Sequence, residues 1–88
     1  MGDLIMNFQD KDQLVYLLDN NKFEEAVELI KDKELDKFDM DIFLIGFDFD
    51  KIGLIKSIKD KFLSFDEEIL SPRGKEILSI LKYDIRRI

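Results

Sequence analysis

The 88-residue sequence contains no cysteine, no histidine and no tryptophan, a single proline and only four glycines. The first two absences have the widest consequences. Without imidazole or thiolate there is no zinc site of the usual kind, no ordinary haem ligation, no cysteine nucleophile and no Ser-His-Asp chemistry. Without cysteine no disulfide staples the fold, so packing must hold it, and a reducing, cytoplasmic setting is the expected address. Long apolar runs are missing too. The longest, residues 42–47, includes Gly46 and falls far short of the ~20 residues that cross a bilayer as a helix. Met1 to Met6 lack the basic start and apolar stretch of a signal peptide, and Met6 stands where an N-myristoylation motif has Ser or Thr. No membrane is expected among the partners.

A chain of this length reads as one domain, residues 1–88, burying somewhat over ~60% of its unfolded surface. Residues 1–9 are expected to form a disordered N-terminal segment. The net charge is −6, with 14 Lys and Arg against 20 Asp and Glu. That figure conceals a division. Residues 1–50 hold 14 acidic and 5 basic side chains, whereas residues 51–88 hold 6 acidic and 9 basic ones. An acidic half followed by a mildly basic one suggests steering toward a basic partner, or head-to-tail self-association.

The hydrophobic pattern is helical almost throughout. Asp10 followed by Gln13 resembles a capping box ahead of Leu14, Val15, Leu17 and Leu18, and Asn20-Asn21 is a helix stop because Asn tolerates the left-handed conformation. Asn21 with Glu24 is expected to cap the next helix, whose Phe23, Ala26, Val27 and Ile30 share one face while Glu24, Glu25, Glu28, Lys31 and Asp32 occupy the other. Leu35 and Phe38 are apolar anchors in the acidic connection that follows. The run Ile42 to Phe47 fits a helix turn or a strand, and a short helix capped by Asp39 or Asp41 is preferred. Asp48 or Asp50 is then expected to cap a helix carrying Ile52, Ile55 and Ile58. Ser64 to Glu67 reads as a further capping box, and Ser71-Pro72 as the start of a last helix with Ile77, Leu78, Ile80 and Leu81 on its apolar face. The fold class is all-α, about five short helices arranged as stacked helical hairpins or a small bundle.

Tyr16-Leu17-Leu18 aligns with Phe43-Leu44-Ile45 and Ile30-Lys31-Asp32-Lys33 with Ile58-Lys59-Asp60-Lys61, an offset of 27 to 28 residues. Stacked hairpins repeat in this way because one hairpin cannot bury its apolar face alone. The stretch from Asp41-Ile42-Phe43-Leu44-Ile45 to Gly53-Leu54-Ile55-Lys56-Ser57-Ile58 resembles a degenerate ankyrin repeat, without the Thr-Pro-Leu-His tetrapeptide and with a period shorter than ~33 residues. Asn21 to Glu28 is similar to the helix junction of a tetratricopeptide repeat. Both resemblances imply a protein-binding scaffold.

The carboxylates Asp36, Asp39, Asp41, Asp48 and Asp50 could in principle ligate a hard cation, but the spacing lacks the glycine and the terminal Glu of an EF-hand loop. Helix capping or a solvated acidic face is the expected role, with no metal and no cofactor. Paired carboxylates do acid-base work only in a pocket that separates their pKa values, and a helical chain this small has little room for one. The expected function is therefore non-enzymatic: a protein-interaction module, as a small acidic inhibitor or adaptor, binding a larger protein through its acidic half. Its candidate contacts are Asp36, Asp39, Asp41, Phe47, Asp48, Phe49 and Asp50, with the two rings as anchors in an exposed loop or, alternatively, as core. An inhibitor of this type could lay carboxylates where nucleic-acid phosphates would lie. The alternative is a nucleic-acid binder contacting phosphates through Arg73, Lys75, Lys82, Arg86 and Arg87.

Overall fold

The computed structural model describes residues 5–50 and 56–87. The fold is all-α. Among the described residues the helices are α1 (Phe8–Asp19), α2 (Phe23–Ile30), α3 (Lys37–Gly46), α4 (Lys59–Ser64) and α5 (Pro72–Arg87), with a single 3-10 turn at Glu67–Ile69 before α5. Residues 42–46 are helical, as preferred above. Of the expected helix through Ile52, Ile55 and Ile58, residues 51–55 lie outside the described residues, residues 56 and 57 are helical, and Ile58 stands in the turn before α4 with its side chain buried.

Local chemistry sets the boundaries, and four differ from expectation. α1 begins earlier, because Asn7 rather than Asp10 is its N-cap. The Asn7 carboxamide oxygen accepts from the Asp10 N–H at 2.8 Å while the Asp10 carboxylate accepts from the Asn7 N–H at 3.2 Å. The same reciprocal box opens α3 between Asp36 and Asp39, at 2.9 and 3.2 Å, so Asp39 is the third helical residue and not the cap. Ser64 closes α4, and the 3-10 turn is capped by Asp66, which accepts from the Glu68 N–H at 3.0 Å. Asn21 does not cap α2. It supplies the left-handed turn, at φ 58°, and leaves Lys22 as an N-cap without a side-chain hydrogen bond. Ser71 and Pro72 start α5 as expected, the Ser71 hydroxyl accepting from the Gly74 N–H at 3.2 Å.

α1 and α2 form a hairpin, and α3 packs against α1 and α5. α1 and α3 run parallel. The Lys11 ammonium, near the start of α1, meets Asp36 and Asp39 at the start of α3, and Leu18, near the end of α1, lies against Gly46 at the end of α3. The core takes Leu14, Leu17 and Leu18 from α1, and Phe23, Ala26, Val27 and Ile30 from α2. Met40, Phe43 and Leu44 of α3, then Ile58, Phe62, Leu70, Leu78 and Leu81, complete it. In the N-terminal segment Met6 is also buried, and Ile5 forms an isolated parallel bridge with Glu34. Ile80 is exposed. The buried stripe of α5 runs through Gly74, Leu78 and Leu81 with Ile77 and Ile85 at its margins, which turns Ile80 outward.

Candidate functional site

The structure separates the acidic candidates into three that work inside the fold and two that face solvent. Asp39 is 1% exposed and receives the Lys11 ammonium at 2.6 Å, while Lys11 also donates to Asp36 at 3.2 Å. Partial burial of Asp36 pushes its carboxyl up, but donation from the Asp39 N–H and from Lys11 overcomes this and holds it below the usual carboxylate range. The hydrogen bond to Asp39, opposed by burial and reinforced by Asp36, raises the Lys11 ammonium above its ordinary value. Asp41 projects from the other side of α3 onto the start of α5, accepting from the Ser71 N–H at 3.1 Å and the Ser71 hydroxyl at 3.0 Å. A carboxylate there also meets the positive end of the α5 dipole.

Asp48 and Asp50 are exposed, and the Asp48 carboxylate accepts from the Asp50 N–H at 3.0 Å in a local turn. The rings beside them do not form an exposed anchor. Phe47 is buried, its centroid 4.6 Å from that of Phe43 and 5.1 Å from that of Phe23, and half-buried Phe49 lies 4.8 Å from Phe47. Phe62 completes the cluster, 6.0 Å from Phe43 and 6.2 Å from Phe49. Phe38, read as an anchor of the connection, is instead 63% exposed. Asp39, Asp41 and Phe47 therefore leave the docking set for the reason that removes most buried polar or aromatic groups from a surface: each is already occupied.

The basic candidates divide similarly. Lys82 is drawn inward, donating to the Phe65 carbonyl at 2.7 Å and lying 3.7 Å from Glu67, and Lys75 pairs with Glu68 at 3.1 Å. Arg73, Arg86 and Arg87 are exposed, the Arg87 guanidinium 5.6 Å from the Tyr83 ring centroid.

The surface that the sequence did not single out is the outward side of α1 and α3. Phe8 is 86% exposed, and Val15 and Tyr16 lie on the same side of α1 with Asp12 and Asp19. Phe38 and Ile45 are the exposed apolar residues of α3, with the Lys37 ammonium 5.2 Å from the Phe38 centroid. The available signal was the spacing of Phe8, Asp12, Val15, Tyr16 and Asp19, which is helical once α1 is begun at Asn7 rather than Asp10.

An open groove of about 650 Å³ lies between the end of α2 and α4, with Lys31, Lys56, Lys59 and Lys61 among its lining residues. Among the described residues no three carboxylates come together as a cation site, and no helix is long and apolar enough to cross a membrane. No family model, curated protein or solved structure matches the chain.

Proposed function

We propose that the chain is a non-enzymatic protein-interaction module, a small acidic inhibitor or adaptor that docks on a larger protein through its N-terminal half. The supporting observation is the outward side of α1 and α3, where Phe8, Val15, Tyr16, Phe38 and Ile45 stand in solvent on two parallel helices with Asp12 and Asp19 among them. Single exposed apolar residues are ordinary on any surface, but bulky ones grouped on neighbouring helices form the kind of patch that marks a binding face. In this reading the rings supply affinity by filling pockets on the partner, and the surplus of carboxylates steers encounter with a basic surface. Asp48 and Asp50 contribute to that field without being anchors. A cytoplasmic setting belongs to the same proposal.

The test is a Phe8→Glu/Phe38→Glu variant, altered only at exposed positions, compared with the wild type in capture of partners from the native cell. The wild type retains a partner that the variant releases and that rising salt weakens. Identical captured sets would overturn the proposal.

A further inference from the structure

The three helices α1, α3 and α5 form a row with α3 in the middle, because Asp39 and Gly46 face α1 while Asp41 faces the start of α5. α1 and α5 flank α3, and the charges of their exposed faces differ in sign. On α1 the exposed residues Phe8, Asp12, Val15, Tyr16 and Asp19 follow one another at helical spacing, and the only cation of that helix, Lys11, is turned toward α3. On α5 the exposed residues Arg73, Glu76, Ile80, Tyr83 and Arg87 follow at intervals of three and four, with Arg86 beside them. The acid of that helix nearest its C-terminus, Asp84, is half-buried. The exposed face of α1 therefore presents carboxylates between Phe, Val and Tyr, on the side it shares with Phe38 and Ile45 of α3. The exposed face of α5 presents guanidinium groups around Ile and Tyr, with Glu76 among them.

We infer that the occupant of the α5 face is the α1 face of a second copy of this chain, joined head to tail; the inference rests on the reading of the α1 side as a protein-docking surface and names its partner. The two faces are complementary in charge, and each offers an apolar centre flanked by its charges, so an arginine on one copy meets Asp12 or Asp19 of the next. Pairing of like faces brings like charges together and is disfavoured. Such a contact is heterologous: a bound pair keeps one unused acidic face and one unused basic face, so addition continues into a ring or an open row.

The experiment is sedimentation of the full chain from micromolar to millimolar concentration at low and high salt, for the wild type and two charge-reversed variants. Asp12→Lys/Asp19→Lys makes both faces basic, and Arg73→Glu/Arg87→Glu makes both faces acidic. All four positions are exposed, and the far-ultraviolet circular dichroism of each variant checks that it remains folded. The wild type grows beyond the dimer at low salt and returns to monomer at high salt. Each variant alone is monomeric, with association weakened by about tenfold or more, and an equimolar mixture of the two associates again because each supplies the face the other lacks. A wild type that stays monomeric at millimolar concentration and low salt, a variant that still associates alone, or a mixture that stays monomeric overturns the inference. A monomeric wild type whose captured partner is nonetheless released by Phe8→Glu/Phe38→Glu removes only the second copy and leaves the docking surface standing. Duplex DNA held by the wild-type monomer and released by Arg73→Glu/Arg87→Glu would give the α5 face to nucleic acid and likewise overturn the inference.

Discussion

The Lys11 ammonium lies 2.6 Å from the carboxylate of Asp39, a residue on the neighbouring helix whose side chain is almost wholly removed from water. The pair fixes α1 against α3 at their N-terminal ends, and the Asp36 N–H is the other donor to the same carboxylate, at 3.2 Å. Removing Lys11 leaves the Asp39 charge buried with that backbone donor alone. Removing one member of a buried pair costs more than the pair contributes, and since Lys11 itself is partly wet the loss from Lys11→Met is expected to be about 2 kcal/mol. For a domain of this size that corresponds to a Tm lower by about 10 °C. Asp39→Asn costs less, because the amide oxygen still accepts from the Asp36 N–H. Thermal unfolding of both variants checks the order, and an Asp39→Asn protein less stable than Lys11→Met would contradict this account.

The same cluster sets a pH dependence. Burial of Asp36 raises its carboxyl pKa, but the Asp39 N–H and Lys11 more than reverse this, and the folded-state value lies below 3.8. A carboxyl depressed on folding contributes stability that is full above the unfolded value and is lost as pH falls through the folded one. Lys11 has the opposite sign: raised above 10.5 on folding, chiefly by its hydrogen bond to Asp39, it contributes stability that is full below that value and lost as pH rises through the folded one. Stability from this cluster is therefore flat across neutral pH, declines below about pH 4 and declines again above about pH 10. Asp36→Asn flattens its share of the acid edge and leaves the alkaline edge in place. Denaturant midpoints measured across pH test this, and an unchanged acid slope in Asp36→Asn would count against it.

Lys82 is engaged within the fold. Its ammonium satisfies the Phe65 carbonyl at the end of α4 and faces Glu67, tying α5 to the segment before it. Lys82→Met is expected to cost about 1–2 kcal/mol, the value of a charged hydrogen bond to a partly buried carbonyl. Retention on a nucleic-acid column is expected to stay the same as for the wild type. A loss of retention at unchanged stability would place Lys82 on a ligand.

Elements whose information is local were legible in the sequence. The face of α2 was readable because Phe23, Ala26, Val27 and Ile30 repeat at helical spacing with acids between them, and all four are buried. The stop at Asn21 and the start at Ser71-Pro72 each rest on a residue with a restricted backbone preference. The caps of α1 and α3 were not readable in the same way. Asn7, Asp10, Asp36, Asp39 and Asp41 are chemically interchangeable as caps, and which one serves depends on where the helix is fixed by packing. The roles of Asp39 and Asp41 depend on Lys11 and Ser71, 28 and 30 residues away, and no local pattern encodes such a pairing. Phe47 and Phe49 were open to two readings, loop anchors or core, because the flanking carboxylates say nothing of where the rings turn, and the rings turn back onto Phe43 and Phe62.

Gly74 and Asp41 provide the sharpest test of how α3 meets α5. A Cβ at Gly74 would overlap the Asp41 Oδ1, and that oxygen has little freedom because Asp41 is held by the Ser71 N–H and hydroxyl. In an unconstrained helix interior Gly→Ala gains about 1 kcal/mol. Here the methyl group must displace the carboxylate and break its hydrogen bonds to Ser71, so Gly74→Ala is expected to lose about 1–2 kcal/mol. In an Asp41→Ala background the obstruction is gone, and the same substitution is expected to gain up to about 1 kcal/mol. Chemical denaturation of the two single variants and the double variant completes the cycle. A reversal of sign supports direct contact, whereas an identical effect of Gly74→Ala in both backgrounds would show that Asp41 does not occupy this space.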